Sequence, residues 1–193
     1  MPVMVKALGF YSHKTGPGGI RKLKQHLKYL EFGKEHRTEP EGFNDRSESV
    51  TRAEFMEVVQ MQPQQGVIAH KLVFSLSEDE RDRCGVSMRE LVQETMVQWS
   101  QSLGRELTWI GFEHDDPGHP HVHVVVAGHA GGRQVGIYER DIKALRGWAE
   151  RERGRQEERH RERARPEHRS IAQEVERFSR YERERDRGWD RGR

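Results

Sequence analysis

The chain has 193 residues, a formal net charge of +2, and 33% hydrophobic against 34% charged residues, which suits one compact domain with a polar appendage. No stretch approaches the roughly 18 apolar residues of a membrane span, and the N-terminus lacks the apolar block of a signal peptide. A single cysteine, Cys84, excludes an intramolecular disulfide framework and fits a reducing compartment. We therefore expect a cytoplasmic protein that does not contact a membrane.

The distribution of charge along the chain is uneven. Lys, Arg and His are concentrated before Arg37, and a locally basic surface suits a polyanion. From residue 151 to 165 Arg and Glu dominate and hydrophobic residues are scarce, which favours a solvated helix with i,i+4 ion pairs. A tail that binds nucleic acid or a partner is the alternative. We predict a domain over residues 1–150 and a charged helical tail over 151–193.

The first part of the chain predicts a strand and two helices. Residues 3–10 are typical of a strand, and the glycine-rich residues 14–19 predict a loop. Apolar residues at three- to four-residue spacing predict a helix over 20–32, with Gly33 as its stop. The polar residues 36–52 predict a loop or mobile flap, and 53–61 predict a short helix.

Two elements are predicted in the middle of the chain. Apolar and polar residues alternate over 68–76, which indicates a strand, and residues 77–80 are typical of a closing turn. Ser87 with Glu90 three residues later forms a capping-box pattern. We therefore predict a helix that begins after Ser87 and ends at Gly104.

The remaining elements complete an α+β fold. Residues 106–113 and 121–127 predict strands that form a hairpin about the turn residues 115–118. A turn at Gly131 and Gly132, a short strand over 134–138 and a helix over 141–150 follow. Because the elements lack the regular crossover pattern of a parallel sheet, we expect a mainly antiparallel sheet of about five strands with helices on one face.

One short window of the sequence holds five of the eleven histidines: His114, His119, His121, His123 and His129. On a strand, His121 and His123 share a face with Cα atoms roughly 6.6 Å apart, and the hairpin returns His114 beside them. Three imidazoles on one face predict an open metal site. Since Pro120 is expected to interrupt the strand, we do not assign His119 or His129 as ligands.

The residue types leave the identity of the metal open. Imidazole suits zinc, copper, iron and nickel, whereas phosphodiester chemistry commonly uses magnesium or manganese. Asp116 lies close to the predicted site in sequence and can orient a ligand imidazole through a hydrogen bond, which makes it a candidate catalytic residue. The alternative is that Asp116 only forms the turn beside Pro117.

The segment from His114 to Val126 resembles the metal motif of plasmid mobilisation relaxases, the MobA/VirD-like members of the HUH endonuclease superfamily. The resemblance implies that His114, His121 and His123 bind one divalent metal, Mn²⁺ or Mg²⁺, with Zn²⁺ or Ni²⁺ as substitutes in vitro. It implies nicking and rejoining of single-stranded or locally melted DNA at a transfer origin during plasmid mobilisation or conjugation. Accessory mobilisation proteins and a coupling protein are the further partners it implies.

The resemblance also implies a nucleophilic tyrosine before the metal motif, attached to the 5′ phosphate in the intermediate. The segment from His26 to Leu30 resembles the helix that carries it, so Tyr29 is the predicted nucleophile. Tyr11, a second early tyrosine, and His26, on the same helical face, are alternatives, because some relatives use histidine. The expected DNA contacts are Lys14, Arg21, Lys22, Lys24 and Lys28.

Three other activities remain open at this point. The residues from His119 to Val125 also fit a histidine-triad nucleotide hydrolase, which needs no metal and does not use His114. A rolling-circle replication initiator shares the metal motif but carries its tyrosine downstream, where Tyr138 is the nearby candidate. A metal-stabilised DNA-binding accessory factor would use the basic helix without catalysis.

Overall fold

The computed structural model describes residues 2–15, 18–32 and 42–165. The expected helix stop at Gly33, residues 36–41 of the expected loop and the tail beyond 165 lie outside these ranges. Within them, no helix is long and apolar enough to cross a membrane. A 3₁₀ turn follows the first strand, and the order is β1 (Met4–Ser12), α1 (Gly18–Phe32), α2 (Arg52–Met61), β2 (Val67–Ser75), α3 (Glu78–Cys84), α4 (Met88–Leu103), β3 (Trp109–Asp116), β4 (His119–Ala127), β5 (His129–Ala130), β6 (Arg133–Gln134) and α5 (Glu139–Ala164).

The described strands form a four-stranded sheet in the order β1-β2-β4-β3, together with a two-stranded sheet of β5 and β6. Every pairing in the large sheet is antiparallel. The expected α+β class with a mainly antiparallel sheet is confirmed. The strand expected over 134–138 is reduced to the two residues of β6, so the main sheet has four strands instead of five.

Helices cover both faces of the sheet, and the expectation that they lie on one face is wrong. Val122 and Val124 belong to the cluster that contains α4 and α5 residues, whereas Val125 and Ala127 belong to the cluster with α1 and α2. The physical reason is the run of valines that ends β4. A strand that is apolar on both faces is buried on both faces.

The β3–β4 hairpin turns at Pro117 and Gly118, and its register places His114 opposite His121. The expectation that Pro120 interrupts the strand is wrong, since β4 begins at His119. Proline lacks an N–H donor and is tolerated near a strand end. The carbonyl of Pro120 still accepts a hydrogen bond from the amide of Leu76, at 3.4 Å.

The starts of α1, α3 and α4 can be compared with the sequence-based expectations. α1 begins at Gly18, inside the expected loop. The expected turn over 77–80 is wrong: α3 occupies this segment, with acidic residues in its first turn and basic residues in its last, which suits the helix dipole. α4 begins as expected, because the amide of Glu90 donates to Oγ of Ser87 at 3.2 Å.

The described part of the expected flap contributes to the core. Phe43 is fully buried and meets Trp109 edge to face, with ring centroids 5.7 Å apart. The guanidinium of Arg89 lies 4.5 Å from the centroid of the Phe43 ring. The amide of Phe43 donates to the carbonyl of Gly111, and the amide of Gly111 donates back. Residues 42–50 therefore close the β3 edge of the sheet.

α5 runs without interruption past residue 150, where the domain boundary was expected. Glu152 is 2% exposed and pairs with Arg155 at 2.7 Å and Arg159 at 3.3 Å. Gln156 caps the start of α4, because its Oε1 accepts from the amide of Ser87 at 2.8 Å. The first part of the charged segment therefore packs on the domain.

Candidate metal centre

The β3–β4 hairpin brings three imidazoles together on the face of the sheet that α1 covers. His114 stands opposite His121 in the register, and His123 shares the strand face of His121 two residues on. The ring centroids are 5.2 Å apart for His114 and His121, 5.4 Å for His114 and His123, and 5.0 Å for His121 and His123. The three histidines selected from the sequence are thus neighbours in space.

The surroundings of this triad favour neutral imidazoles. Burial, followed by the neighbouring His121, lowers the pKa of His114. Burial lowers the pKa of His123 to about 4, with smaller contributions from His121, His114 and His26. Since a metal binds the neutral ring, both side chains have a free nitrogen lone pair near neutral pH.

Two observations test whether the triad fits a metal ion. Nε2 of His114 is buried and has no hydrogen-bond partner among the described residues. Nδ1 of His121 lies 2.9 Å from the carbonyl of His119, and a carbonyl only accepts, so Nδ1 carries the proton and Nε2 remains free. Both histidines therefore present an unpaired ring nitrogen, as metal ligands would.

The rings are not yet arranged as a closed ligand set. Among the described residues no group of three or more His, Cys, Asp or Glu side chains has its donors converged for a metal. The rings of His114 and His121 stack with an interplanar angle of 11° instead of pointing at one centre. Because rotation of an imidazole about its terminal torsion is soft, convergence requires side-chain rotation and no change of strand register.

Helix α1 and strands β1 and β2 add three side chains beside the triad. His26 on α1 interacts electrostatically with His123, and its Nδ1 is buried without a partner among the described residues. The Tyr11 ring lies 5.9 Å from the His26 ring. The ammonium of Lys71 lies 5.1 Å from the centroid of the Tyr11 ring. Two of the three nucleophile candidates thus lie together near the histidine triad.

The pKa values of these two candidates shift for physical reasons that the structure makes clear. Burial and the nearby charge of Lys71 lower the pKa of His26. Burial raises the pKa of Tyr11. His26 is therefore neutral near pH 7, with a lone pair available on its ring, whereas Tyr11 is a protonated phenol.

The other predicted site residues have different positions. Tyr29 is on the outer part of α1 and is 51% exposed. Asp116 is exposed at the end of β3. Its negative charge opposes, without outweighing, the lowering of the His114 and His123 pKa values by burial, and no hydrogen bond joins it to an imidazole among the described residues. The predicted DNA contacts are all exposed side chains on the 3₁₀ turn and α1: Lys14, Arg21, Lys22, Lys24 and Lys28.

Among the described residues, the rings of the two histidines that were set aside make no ring contact with the triad, although the carbonyl of His119 lies 2.9 Å from Nδ1 of His121. His119 is exposed at the start of β4. His129 is in the small β5–β6 sheet, where its carbonyl accepts from Nε2 of Gln62 at 3.1 Å. The sequence analysis did not select Lys71 as a candidate site residue. Its position among the buried residues of β2 could have drawn attention to it. A lysine inside a strand whose neighbours are buried is unusual.

A relaxase family model, described as MobA/VirD2-like nuclease domain, matches residues 29–151 of this chain. The fold is similar to a MobM relaxase domain (MOBV; Mob_Pre) bound to 26-nucleotide pMV158 oriT DNA. The TM-score is 0.50 at 12% identity, covering 83% of this chain and 87% of that chain.

A second structure of that domain, with 23-nucleotide pMV158 oriT DNA, is Mn-bound at pH 6.5. Its TM-score is 0.46 at 13% identity over 70% of this chain and 73% of that chain. No curated protein sequence matches this chain.

Proposed function

Because the chain belongs to the MobA/VirD2-like relaxase nuclease-domain family, we propose that it nicks and rejoins one DNA strand at a transfer origin. The observation that carries this proposal is the triad of His114, His121 and His123, whose rings lie within 5.4 Å of one another beside candidate nucleophiles. The proposed substrate is single-stranded or locally melted DNA. Accessory mobilisation proteins and a coupling protein are the partners proposed for transfer itself.

The triad is proposed to hold one divalent ion, Mn²⁺ or Mg²⁺. The ion would supply positive charge at the oxygens of the scissile phosphate. His114 and His121 support this role through their free ring nitrogens, and His123 through its low pKa. Asp116 adds negative charge at the same end of the hairpin, where it favours a bound cation.

The proposed reaction is a transesterification that conserves the phosphodiester bond energy. The hydroxyl oxygen of the tyrosine attacks the phosphorus and releases its proton to solvent, while the bond from phosphorus to the 3′ oxygen breaks. That 3′ oxygen takes up a proton from solvent and leaves as a 3′-hydroxyl. The 5′ phosphate remains attached to the protein. Attack by the same 3′-hydroxyl reverses the step, so the strand can be rejoined without ATP.

The family resemblance selects Tyr29 as the nucleophile, and we retain it as the proposal. Tyr29 has to reach the triad from a position that is half exposed. His26 and Tyr11 are competing assignments, which are supported by the electrostatic interaction of His26 with His123 and by the contact between the two rings. The exposed cations of α1 would hold the phosphates of the bound strand near these residues.

The test is the formation of a covalent protein–DNA adduct. Oligonucleotides that tile the DNA flanking the coding sequence are incubated with protein and Mn²⁺ or Mg²⁺ and separated by denaturing electrophoresis. We expect an adduct that a chelator abolishes and that Tyr29→Phe does not form. A phosphotyrosine adduct survives mild acid, whereas a phosphohistidine adduct is hydrolysed, so acid treatment identifies the linkage.

The outcomes separate the reaction class from the assignment of the nucleophile. An adduct that persists in Tyr29→Phe but is lost in Tyr11→Phe or His26→Ala overturns Tyr29 and retains the relaxase. Cleavage that releases only free ends, without an adduct at any tile, contradicts the relaxase proposal itself.

A further inference from the structure

Lys71 points to the same face of the sheet as the metal triad. It is partly buried in the middle of β2, with Gly9 and Val125 as its register partners on the neighbouring strands. Val73, two residues on, stands opposite His123. Lys71 and His123 are thus diagonal neighbours on one face, with Cβ atoms about 7–8 Å apart. A lysine side chain is long enough to bridge that distance.

Among the residues that the structure describes, no carboxylate pairs with the ammonium of Lys71. None of the ion pairs between described residues, at the 4.0 Å limit, includes its ammonium group. The groups around it are the ring of Tyr11, over which the ammonium lies, and His26, whose pKa it lowers. A partly buried cation without an anion is costly, because it has lost part of its hydration. An anionic ligand would supply the missing partner.

We propose that Lys71 binds a non-bridging oxygen of the scissile phosphate, on the side away from the histidine triad. This inference rests on the proposed function. One non-bridging oxygen would face the triad and the other the ammonium, so the phosphorus would lie between them and within reach of α1. Lys71 is then a catalytic residue that touches the reacting group, and it is distinct from the exposed α1 cations expected to contact the DNA.

The chemistry of the step predicts how Lys71 acts. A phosphodiester carries one negative charge on its non-bridging oxygens, and attack by a further side chain increases the charge on those oxygens. A charge-assisted hydrogen bond from the ammonium strengthens as that charge develops. Removing Lys71 should therefore slow formation of the adduct more than it weakens DNA binding.

The first test measures a phosphate contact without requiring catalysis. Binding of a 20-nucleotide thymidine oligomer is titrated over a range of salt concentrations for the wild type, Lys71→Met and Lys143→Met. Lys143 is an exposed lysine of α5 and serves as the matched control. Loss of one phosphate contact on a single strand should reduce the salt slope by about 0.7 in Lys71→Met and leave Lys143→Met unchanged. An unchanged slope in Lys71→Met overturns the proposal.

The second test measures the rate of adduct formation at saturating DNA and Mn²⁺. Lys71→Met should slow adduct formation by a factor on the order of 10²–10³. Lys71→Arg keeps the positive charge, so it should form the adduct at least tenfold faster than Lys71→Met. Mn²⁺ affinity, measured by calorimetry, should stay within twofold of the wild type. Circular dichroism spectra that match the wild type show that the variants are folded.

A phosphorothioate at the scissile position gives a readout that a structural role would not change. Sulfur at the oxygen facing Lys71 should slow the wild type, whereas Lys71→Met should be insensitive to it. A Lys71→Met rate equal to the wild type overturns the inference and leaves the relaxase proposal intact. A reduced salt slope in a protein that forms no adduct supports the phosphate contact and contradicts the proposed function.

Discussion

The proposed metal-binding role of His121 and His123 can be tested separately from folding. Val122 and Val124 point to the opposite face of β4 and are fully buried, so they hold the strand without the imidazoles. We predict that His121→Ala with His123→Ala abolishes Mn²⁺ binding and nicking, measured by calorimetry and the adduct assay, while the thermal unfolding transition remains cooperative. His119→Ala, at an exposed position on the same strand, is the control and should retain both. Metal-stimulated cleavage by the double variant would refute the assignment.

Helix α5 packs on α4, so the first part of the charged segment contributes to the stability of the domain. Gln156 is 3% exposed, and its Oε1 accepts from the amide of Ser87. We predict that Gln156→Ala lowers the free energy of unfolding by about 1–3 kcal/mol, because it removes a buried side chain together with the part-buried hydrogen bond that it accepts from the amide of Ser87. Chemical denaturation measures this change. Glu158→Ala, at an exposed position of α5, should change stability by less than about 0.5 kcal/mol. Equal effects in both variants would show that the capping contact is unimportant.

At the scale of the whole molecule, buried histidines connect stability to pH. Burial is the first cause that lowers the pKa of His26, His70, His114, His123 and His129. Well above pH 6.5 these groups are neutral in both the folded and the unfolded state. Below that value the unfolded chain takes up protons that the folded protein resists, so the free energy of unfolding decreases toward the folded pKa values.

The corresponding measurement is guanidinium denaturation in the presence of a chelator at pH 7.5, 6.5 and 5.5. We predict a decrease between pH 6.5 and 5.5. Nε2 of His70 lies 2.7 Å from the carbonyl of Val135. The matched variant His70→Gln keeps an N–H donor for this carbonyl, but its side chain does not titrate. Its decrease should be smaller than that of the wild type. Stability that stays constant or rises as the pH falls would contradict the effect of burial.

Local patterns in the sequence were enough to predict the features that depend on residues close together in the chain. Alternation along β2, the Ser87 cap of α4 and the turn at Pro117 and Gly118 each depend on residues within a few positions. His114, His121 and His123 were predicted to be neighbours for the same reason, because strand periodicity and one hairpin bring them together. The resemblance to the relaxase family was based on that short motif, whereas the family model matches the longer segment 29–151.

Contacts between residues that are distant in sequence became visible only in the folded chain. Phe43 belongs to a polar segment and became a core residue because its backbone pairs with Gly111 at the sheet edge. Lys71, Tyr11 and His26 come from three elements and are neighbours only because β1 pairs with β2 beneath α1. Periodicity specifies the face on which a side chain lies, but the packing of helices and the order of strands determine what that face contacts.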